Sequence, residues 1–403
     1  MATHADADTA SDLDSDTAAE LNELLTRLLM TQHTKLGFPG AEDIDYGPLR
    51  PFFDLELNNI GDPYTDPTFH HHTKPQEREA IEFFADLFRT PRDDRWGIVT
   101  SGSTEAVHLG LRRGRDLYPD GIAYYSSAAH YKMPHILDDL RMPSVEVPAD
   151  GRGELDYGAL HRAVGRRRKR PAIVLATAGT TMTEAVDDVG EVGAVLDDLG
   201  VSERYVHVDA ALSGVPLALM PDGQRPRFDF ADGATSLSFS SHKFFAGRWP
   251  GGMILTTHNV MAPGAAVAYT GAPDAGLSGS RNGHTALQLW YCVRTLGREG
   301  MRRRAEQARL VAAYAAQRLT EIGWEAWRHA HAFTVLLRTP PAEVARKWQL
   351  ADAKDGWSHT VWVPGRTVEQ VEQFVEDLTD ARNRGASRLD TPPVPAGCPA
   401  AAA

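Results

Sequence analysis

Short apolar runs and amphipathic stretches alternate along the chain from residue 95 onward. The apolar runs have the length and the valine and isoleucine content of buried strands, and they cover residues 96–101, 122–127, 144–147, 172–179, 205–210, 236–241 and 252–257. Helical periodicity separates most of them, as in "STEAVHLGLRRGRDL" at 103–117 and "VGEVGAVLDDLG" at 189–200. Strands that alternate with helices predict an α/β fold, in which a mostly parallel sheet carries helices on both faces.

The pattern changes after about residue 285. A long helical stretch occupies 285–323, and it is followed by a strand, a helix, a second strand and a second helix, which ends near residue 383. This order predicts a linking helix that leads into a small C-terminal α+β domain.

We therefore divide the chain into four segments: an N-terminal segment (1–50), a large domain (51–284), a linking helix with the small domain (285–385) and a tail (386–403). The acidic first 15 residues and the Pro- and Ala-rich tail have compositions typical of disorder. A helix at about 17–31 and the loop-rich chain up to residue 75 have no place in either predicted core. We expect them to wrap the site or a partner subunit.

Composition narrows the class of protein. The chain has 403 residues, is 42% hydrophobic and carries a net charge of −12, so nucleic acid and anionic membranes are not expected partners. "RRRKR" at 166–170 is the one basic run, and we interpret it as a solvated helix end rather than a nucleic-acid patch. No apolar run has the length of a membrane span, the N-terminus lacks a signal-peptide pattern, and only Cys292 and Cys398 are present. We expect a cytoplasmic globular protein.

Polar residues collect where the predicted strands end. They are Ser101 to Thr104, His130, Gly179 to Thr181, Asp209, and His242 with Lys243. Ligands of open α/β sheets bind beyond the carboxyl ends of the strands, so these clusters predict one binding site.

Two of these clusters favour a charged ligand. Ser103 and Thr104 open a helix, whose free amides and positive end suit a phosphate, although both residues are also common as simple N-caps. Asp209 ends an apolar strand, where a buried carboxylate needs a cation such as a protonated pyridine nitrogen. The alternative is that Asp209 caps the following turn.

Lys243 completes the set. A lysine desolvated at a strand end readily loses its proton and forms an imine with an aldehyde. An aldehyde, a pyridinium and a phosphate together describe pyridoxal 5'-phosphate (PLP). His130 is placed to stack on its ring, although a lone histidine here is also typical of a cap or a core residue. Residues 178–181 and Ala211 would pack around the ring.

The matching motifs extend over most of the chain, from about residue 36 to 375. They are "FDLELNNIGDPY", "WGIVTSGSTEAVHLGLRRGRDLYPDGIAYYSSAAHY", "GTTMTEAVDD", "YVHVDAALSG", "SSHKFF", "SGSRNGHTALQLWY" and "RKWQLA". In this order they closely resemble the PLP-dependent group II decarboxylases, in the branch of the bacterial histidine decarboxylases and the plant serine decarboxylases.

The resemblance implies a fold-type-I PLP-dependent transferase fold, and release of CO₂ and a primary amine from an L-amino acid. It also implies a homodimer with shared sites, in which "GSRNGH" reaches across, and no metal. Lys243 would bind the cofactor aldehyde, Asp209 the pyridine nitrogen and His130 the ring face, which makes these three the catalytic residues. The other cofactor-binding residues would be Ser103, Thr104, Ala211, Ser240 and His242.

Several positions depart from the family pattern. Ser103 stands where the relatives have glycine, and Gly276 replaces a hydroxyl-bearing residue. After the lysine the relatives read Gly-Cys/Ser-Pro-x-Pro-Cys-Gly, whereas residues 246–252 read Ala-Gly-Arg-Trp-Pro-Gly-Gly, which brings Arg248 and Trp249 near Lys243. Arg248 and Trp249 could therefore reshape the pocket or point to solvent.

Substrate choice depends on "DPTFHHHTK" at 66–74. His72 corresponds to a histidine of the serine enzymes where histidine decarboxylases tend to carry asparagine, and Phe69 replaces tyrosine. With Trp249 these residues form the expected substrate pocket, for serine first and histidine second. Three adjacent histidines also suggest a metal site, but neighbouring residues of a strand point to opposite faces, which favours a pocket wall. Tyr269 and His284 are candidates for the proton donor at Cα.

Two other functions are compatible with the same residues. A PLP enzyme can break another bond, as an aminotransferase or an aldehyde-forming decarboxylase does, and product analysis separates these reactions. A non-catalytic PLP-fold binding protein is a further alternative, but both Lys243 and Asp209 are present.

Overall fold

The computed structural model describes residues 14–257, 266–351 and 356–389. We expect disorder for residues 1–15 and 386–403, and most of these residues lie outside the described ranges. Of those that are described, residue 15 opens the first helix and residues 386–389 lie in the last one.

A seven-stranded sheet forms the centre of the large domain. Its strands are β1 (Trp96–Thr100), β2 (Ile122–Ser126), β3 (Ser144–Val147), β4 (Ala172–Thr177), β5 (Arg204–Asp209), β6 (Ser236–Ser240) and β7 (Gly252–Thr256). Their spatial order is β1-β7-β6-β5-β4-β2-β3. Strand β7 runs in the direction opposite to that of the other six strands. The predicted mostly parallel sheet is confirmed. The observed ends of six strands differ from the predicted ends by one or two residues, and β3 has the predicted bounds.

Helices cover both faces of this sheet. The large-domain helices are α2 (Lys74–Leu87), α3 (Ser103–Leu117), α4 (Met133–Asp139), α5 (Tyr157–Gly165), α6 (Val189–Asp198) and α7 (Gly214–Ala218). Alternate residues of β4 enter different hydrophobic clusters: Ile173 packs with residues of α3 and α4, whereas Val174 packs with residues of α5 and α6. This alternation is what a strand buried on both sides requires.

The chain before the large domain is better integrated than we expect from its sequence. Helix α1 (Ser15–Gln32) buries none of its residues, but Leu36 belongs to the core of the small domain, and Ala41, Ile44 and Tyr46 belong to the main core. The expectation that this segment has no place in either core is therefore wrong for residues 36–49. The few apolar residues of this segment are too widely spaced in the sequence to form a periodic pattern.

The C-terminal part has the predicted strand and helix order. It consists of α8 (Gly283–Glu321), β10 (Ala326–Trp327), β11 (Thr334–Arg338), α9 (Ala342–Lys347), β12 (Trp357–Val361) and α10 (Val368–Leu389), after a short hairpin of β8 (Ala266–Val267) and β9 (Ala272–Pro273). Strands β10, β11 and β12 form an antiparallel sheet, and Trp348, Trp362 and Phe374 fill the core behind it. The division at residue 285 stays a prediction: the small domain has this separate core, but the part of α8 from Ala286 to Ala308 contributes to the main core.

Helix α8 contains a break that the sequence pattern does not reveal. Gly297 has φ 56° and ψ −172°, so two helical segments meet there at a kink. Only glycine adopts this backbone conformation readily, because in other residues the Cβ is crowded by the adjoining peptide groups. Within the described ranges, no helix is long and apolar enough to cross a membrane.

Candidate active site

The carboxyl ends of the parallel strands surround a cavity of about 450 Å³, which we call the strand-end cavity. Eight residues that the sequence assigns to the cofactor line it: Ser103, Thr104, His130, Asp209, Ala211, Ser240, His242 and Lys243. Residues 178–181, which we expect from the sequence to pack around the ring, are not among its described lining. Ser101, Gly102, Glu105, Val107, Met133 and Pro250 complete the lining. The topology accounts for this convergence, because β1, β2, β5 and β6 run in the same direction and end at the same edge of the sheet.

The start of α3 forms one wall of the cavity. Ser103 is the first residue of this 15-residue helix, so its amide is one of the four that have no intrahelical partner. Gly252 allows the turn to approach β7, because a Cβ at that position would lie 2.7 Å from Ser103 N. The Oγ atoms of Ser103 and Ser240 are buried and have no hydrogen-bond partner among the described residues. Two unpartnered hydroxyls beside a positive helix end fit a phosphate group.

Lys243 and Asp209 form the polar pair deep in the cavity. Burial lowers the pKa of Lys243, while the nearby carboxylates of Asp209 and Glu184 oppose this shift. Burial also raises the pKa of Asp209, against the opposing effects of Lys243 and His130. The lysine is therefore biased toward its neutral, nucleophilic form, and a cation that enters beside Asp209 would stabilise the ionised carboxylate.

Two histidines flank this pair. Burial lowers the pKa of His130, and its Nδ1 accepts the N–H of Lys132 at 3.3 Å, which leaves Nε2 as the protonated nitrogen of the neutral ring. His242 Nδ1 lies 3.2 Å from the amide nitrogen of Gly251 and 3.1 Å from its carbonyl oxygen. This contact holds the two ends of the turn after Lys243 together.

The unusual residues after Lys243 point away from the cavity. Arg248 lies over the ring of Tyr46 at 5.7 Å, and its amide donates to Gln288. Trp249 stacks on His284 at 5.7 Å and meets the edge of Phe53 at 5.1 Å. Within the described chain, neither Arg248 nor Trp249 lines the strand-end cavity, so only Pro250 of this turn contributes to it.

The expected substrate residues lie elsewhere in the subunit. Phe69 lines a second cavity of about 450 Å³, the side cavity, together with His71 and Tyr269. His72 packs edge-on against Phe69 at 6.2 Å, and its Nδ1 accepts the N–H of Lys74. Neither Phe69 nor His72 is among the described residues around the strand-end cavity. Over the described residues, no group of three or more His, Cys, Asp or Glu is arranged to hold a metal ion.

The two proton-donor candidates are also outside the strand-end cavity. Tyr269 is 87% exposed at the side cavity, and His284 lies 3.1 Å from the carbonyl oxygen of Leu55. Arg281 of "GSRNGH" is buried in its own subunit, where it donates to Glu77, Val99 and Gly61.

Sequence reasoning missed two carboxylates. Glu105 accepts the amide of Ser101 at 2.8 Å and the hydroxyl of Ser278 at 3.1 Å, which ties the phosphate-facing turn to the chain before α8. Glu105 lies three residues after Gly102, the N-cap of α3, and a glutamate at this spacing is a capping signal that could have indicated the contact. Glu184 lies behind Lys243, and nothing in its local sequence indicates that it is buried.

A strand-end lysine, a buried aspartate, a neutral histidine and a helix end suited to a phosphate are together typical of a PLP enzyme built on an α/β sheet. Residues 112–325 match the pyridoxal-dependent decarboxylase conserved domain. The chain is 40% identical to a histidine decarboxylase of Mesorhizobium japonicum, over 91% of this chain and 98% of the relative. It is 35% identical to serine decarboxylase 3 of Oryza sativa subsp. japonica, over 86% and 78%. The chain belongs to the pyridoxal-dependent decarboxylase family, in its histidine and serine decarboxylase branch.

Solved structures agree on the fold. An L-methionine decarboxylase from Streptomyces sp. 590 superimposes with a TM-score of 0.83 at 24% identity, over 91% of this chain and 95% of that one. A glutamate decarboxylase from Lactobacillus brevis gives a TM-score of 0.73 at 19% identity. These structures confirm the predicted fold class. The family match and the similar decarboxylases confirm the PLP cofactor and the amino-acid carboxy-lyase activity.

Proposed function

We propose that this decarboxylase acts on a small polar L-amino acid, with L-serine as the first candidate and L-histidine as the second. The observation that carries the substrate class is the similarity to a histidine decarboxylase and a serine decarboxylase over most of the chain. His72 favours serine, because the resemblance assigns a histidine at this position to the serine enzymes.

We assign the catalytic roles to Lys243, Asp209 and His130. When bound, PLP accepts the electron pair that remains on Cα when CO₂ leaves. Lys243 binds the cofactor aldehyde, which requires an unprotonated amine, and its burial favours that form. Burial raises the pKa of Asp209, so a protonated pyridine nitrogen beside it would stabilise the carboxylate, which would in turn keep the proton on that nitrogen. His130 would support the ring as a neutral imidazole, because burial lowers its pKa. Ser103, Thr104, Ser240 and His242 would hold the phosphate, and Ala211 would pack beside the ring.

We also propose that the protein is a homodimer, and that the substrate pocket is completed by the partner. The support is an apolar surface on α1, whose large exposed side chains are Leu21, Leu24, Leu25, Leu28, Leu29 and Met30. Apolar patches of this kind mark association surfaces. The exposed Tyr269 and the position of Phe69 away from the strand-end cavity are compatible with roles in a partner's site. The low cysteine content is compatible with a cytoplasmic protein.

The substrate proposal is tested on the purified, PLP-loaded protein with a panel of L-amino acids, by measuring CO₂ and the amine produced. We expect serine to be turned over with the highest kcat/KM. H72N should lower kcat/KM for serine by about tenfold and improve that for histidine, because the change removes a contact worth roughly 1.4 kcal/mol.

The control for this variant is H70N, two residues away on the exposed side of the same segment. It should behave as the unmodified protein. Preferred turnover of histidine or of an apolar amino acid, or an H72N variant with unchanged selectivity, would contradict the assignment of serine through His72. Formation of an aldehyde or a keto acid in place of an amine would contradict the reaction itself.

A further inference from the structure

Glu184 has an unusual backbone conformation in the turn between β4 and α6. Its φ is +56°, in the left-handed region that side chains other than glycine rarely adopt. Its own amide donates to the Thr180 carbonyl at 2.8 Å, and the amide of Ala185 donates to Thr180 Oγ1 at 3.0 Å. A strained glutamate persists only where surrounding contacts hold it, so its side chain must provide a compensating interaction.

The side chain of Glu184 is buried and bridges two parts of the molecule. Oε1 accepts the hydroxyl of Ser213 at 2.8 Å. Oε2 accepts the amide of Phe333 at 2.9 Å, the amide of Thr334 at 2.8 Å and the hydroxyl of Thr334 at 2.7 Å. Burial of a carboxylate is costly without such donors. Because one donor belongs to the large domain and three belong to the start of β11, the carboxylate joins the large domain to the small domain.

Both sides of this bridge lead to the proposed catalytic residues. Ser213 lies in the loop that follows Asp209, and the amide of Ala178, at the start of the Glu184 turn, donates to the Asp209 carbonyl at 2.8 Å. On the other side, the ring of Phe333 lies parallel to that of Phe244, with 6.4 Å between their centroids. Phe244 immediately follows Lys243. A displacement of Glu184 would therefore be transmitted to both Asp209 and Lys243.

Charged groups surround the bridge on the side of the small domain. His331 Nε2 lies 2.9 Å from the carbonyl oxygen of Glu184, and Arg309 donates to the carbonyls of His331 and Pro216. The guanidinium groups of Arg309 and Arg328 are within electrostatic range of the carboxylate. Burial raises the pKa of Glu184, and the hydrogen bonds from Thr334, Ser213 and Phe333 oppose that shift.

We propose that Glu184 is a positioning residue, which fixes Lys243 and Asp209 relative to each other by bridging the turn after β4 to the first long strand of the small domain. It is not a catalytic residue, because it lies behind the described lining of the strand-end cavity. The inference does not depend on which amino acid is the substrate. It concerns how firmly the site holds its cofactor.

The test compares E184A with E184Q. E184A removes the bridge, and we expect the dissociation constant for PLP to rise about tenfold or more, with loss of the visible-range circular dichroism of the bound cofactor. E184Q keeps the shape of the side chain: its amide oxygen accepts from Phe333 and Thr334, and its NH₂ donates to Ser213 Oγ. We expect E184Q to restore both the affinity and the dichroism to near those of the unmodified protein. Neither measurement requires turnover, so the result is independent of the substrate proposal.

D187N is the matched control. Asp187 is a buried carboxylate three residues away, but it accepts the amides of Leu155 and Thr177 within the large domain. It should lower the unfolding midpoint without changing the dichroism of the bound cofactor. Amide hydrogen exchange in residues 333–338 should be faster in E184A and unchanged in D187N.

Two results would overturn the proposal. One is an E184A protein that binds PLP with the original affinity and dichroism. The other is an E184A protein whose changes match those of D187N, which would make Glu184 a structural residue only. If E184A does not fold, S213A provides the same test, because it removes the bond on the Asp209 side alone. S213A should then weaken PLP binding, and unchanged binding would contradict the proposal.

Discussion

Two serine hydroxyls at the edge of the strand-end cavity, those of Ser103 and Ser240, have no hydrogen-bond partner among the described residues. A buried polar atom without a partner costs free energy, and proteins retain such atoms where a ligand completes them. Their position beside the first turn of α3 supports the proposal that the phosphate of PLP satisfies them. Ser103 would then add a phosphate contact at a position where the family resemblance implies glycine.

We expect S103A and S240A each to raise the dissociation constant for PLP by about tenfold, because a hydrogen bond to a charged phosphate contributes roughly 1.5 kcal/mol or more. The unfolding midpoint of the PLP-free protein should be unchanged or slightly higher, because no internal hydrogen bond is lost. Fluorescence titration with PLP and thermal unfolding of the PLP-free protein measure the two effects. Unchanged affinity in both variants would exclude these hydroxyls as phosphate ligands.

The residues of the strand-end cavity could be predicted because a parallel sheet brings the ends of its strands to one edge. Asp209 is the last residue of β5 and Lys243 lies three residues after the end of β6, so their placement depends mainly on where those strands end. Glu184 could not be predicted in this way. Its role depends on a left-handed backbone conformation and on donors that lie about 150 positions later in the chain, at Phe333 and Thr334.

At the scale of single elements, α1 has an amphipathic sequence but an apolar face that is exposed in the subunit. Its leucines recur at helical spacing, yet none of its residues is buried in the subunit. An amphipathic helix derives most of its stability in proteins from packing of its apolar face. The missing packing surface is the reason why we assign this face to a second copy of the chain.

The double variant L25E/L29E should therefore be monomeric. Leu25 and Leu29 are four residues apart and lie on one face of α1, where a pair of glutamates would oppose burial against the same helix of a partner. Analytical ultracentrifugation of the PLP-loaded protein measures the change. E23Q, on the same helix, is the control and should remain dimeric. A monomeric unmodified protein, or a double variant that still dimerises, would contradict the role of α1.

Elements with a clear apolar run or helical period could be predicted, including the four-residue β3, whereas the two-residue strands could not. The two-residue strands β8, β9 and β10 carry no period of their own and exist only because a partner strand is present. The 285–323 stretch was predicted as one helix, because Gly297 is followed at once by further helical sequence. A glycine inside a helical pattern is compatible with a continuous helix or a kink, and only packing decides between them.

For the whole molecule, His207 links acid stability to the central sheet. Its ring lies between two serine hydroxyls, with Nδ1 2.6 Å from Ser236 Oγ and Nε2 3.2 Å from Ser238 Oγ. Burial lowers the pKa of His207 to about 3, from an ordinary value of 6.5. A lowered pKa in the folded protein means that the neutral ring is favoured there. The resulting stability is complete above pH 6.5 and is lost as the pH falls toward 3.

We expect H207Q to reduce the loss of stability between pH 7 and pH 4, because glutamine keeps a hydrogen bond to the serines but cannot gain a proton. Thermal unfolding midpoints measured at several pH values test this difference. Between pH 7 and pH 8.5, where the histidine is neutral in both states, the curves of the two proteins should run parallel. Equal slopes of the two proteins below pH 6.5 would show that His207 does not contribute to acid sensitivity.

The location of β1 at an edge of the sheet determines when the chain can acquire its cofactor during synthesis. In the described part of the chain, β1 pairs only with β7, with Trp96 opposite Thr256, so its partner is translated long after it. Pairing between such distant segments is slow and must await the later one. Until β7 has left the ribosome, β1 and the turn that carries Ser103 lack the strand that they pair with in the folded protein. We therefore expect a nascent chain to retain PLP only after residue 256 has emerged.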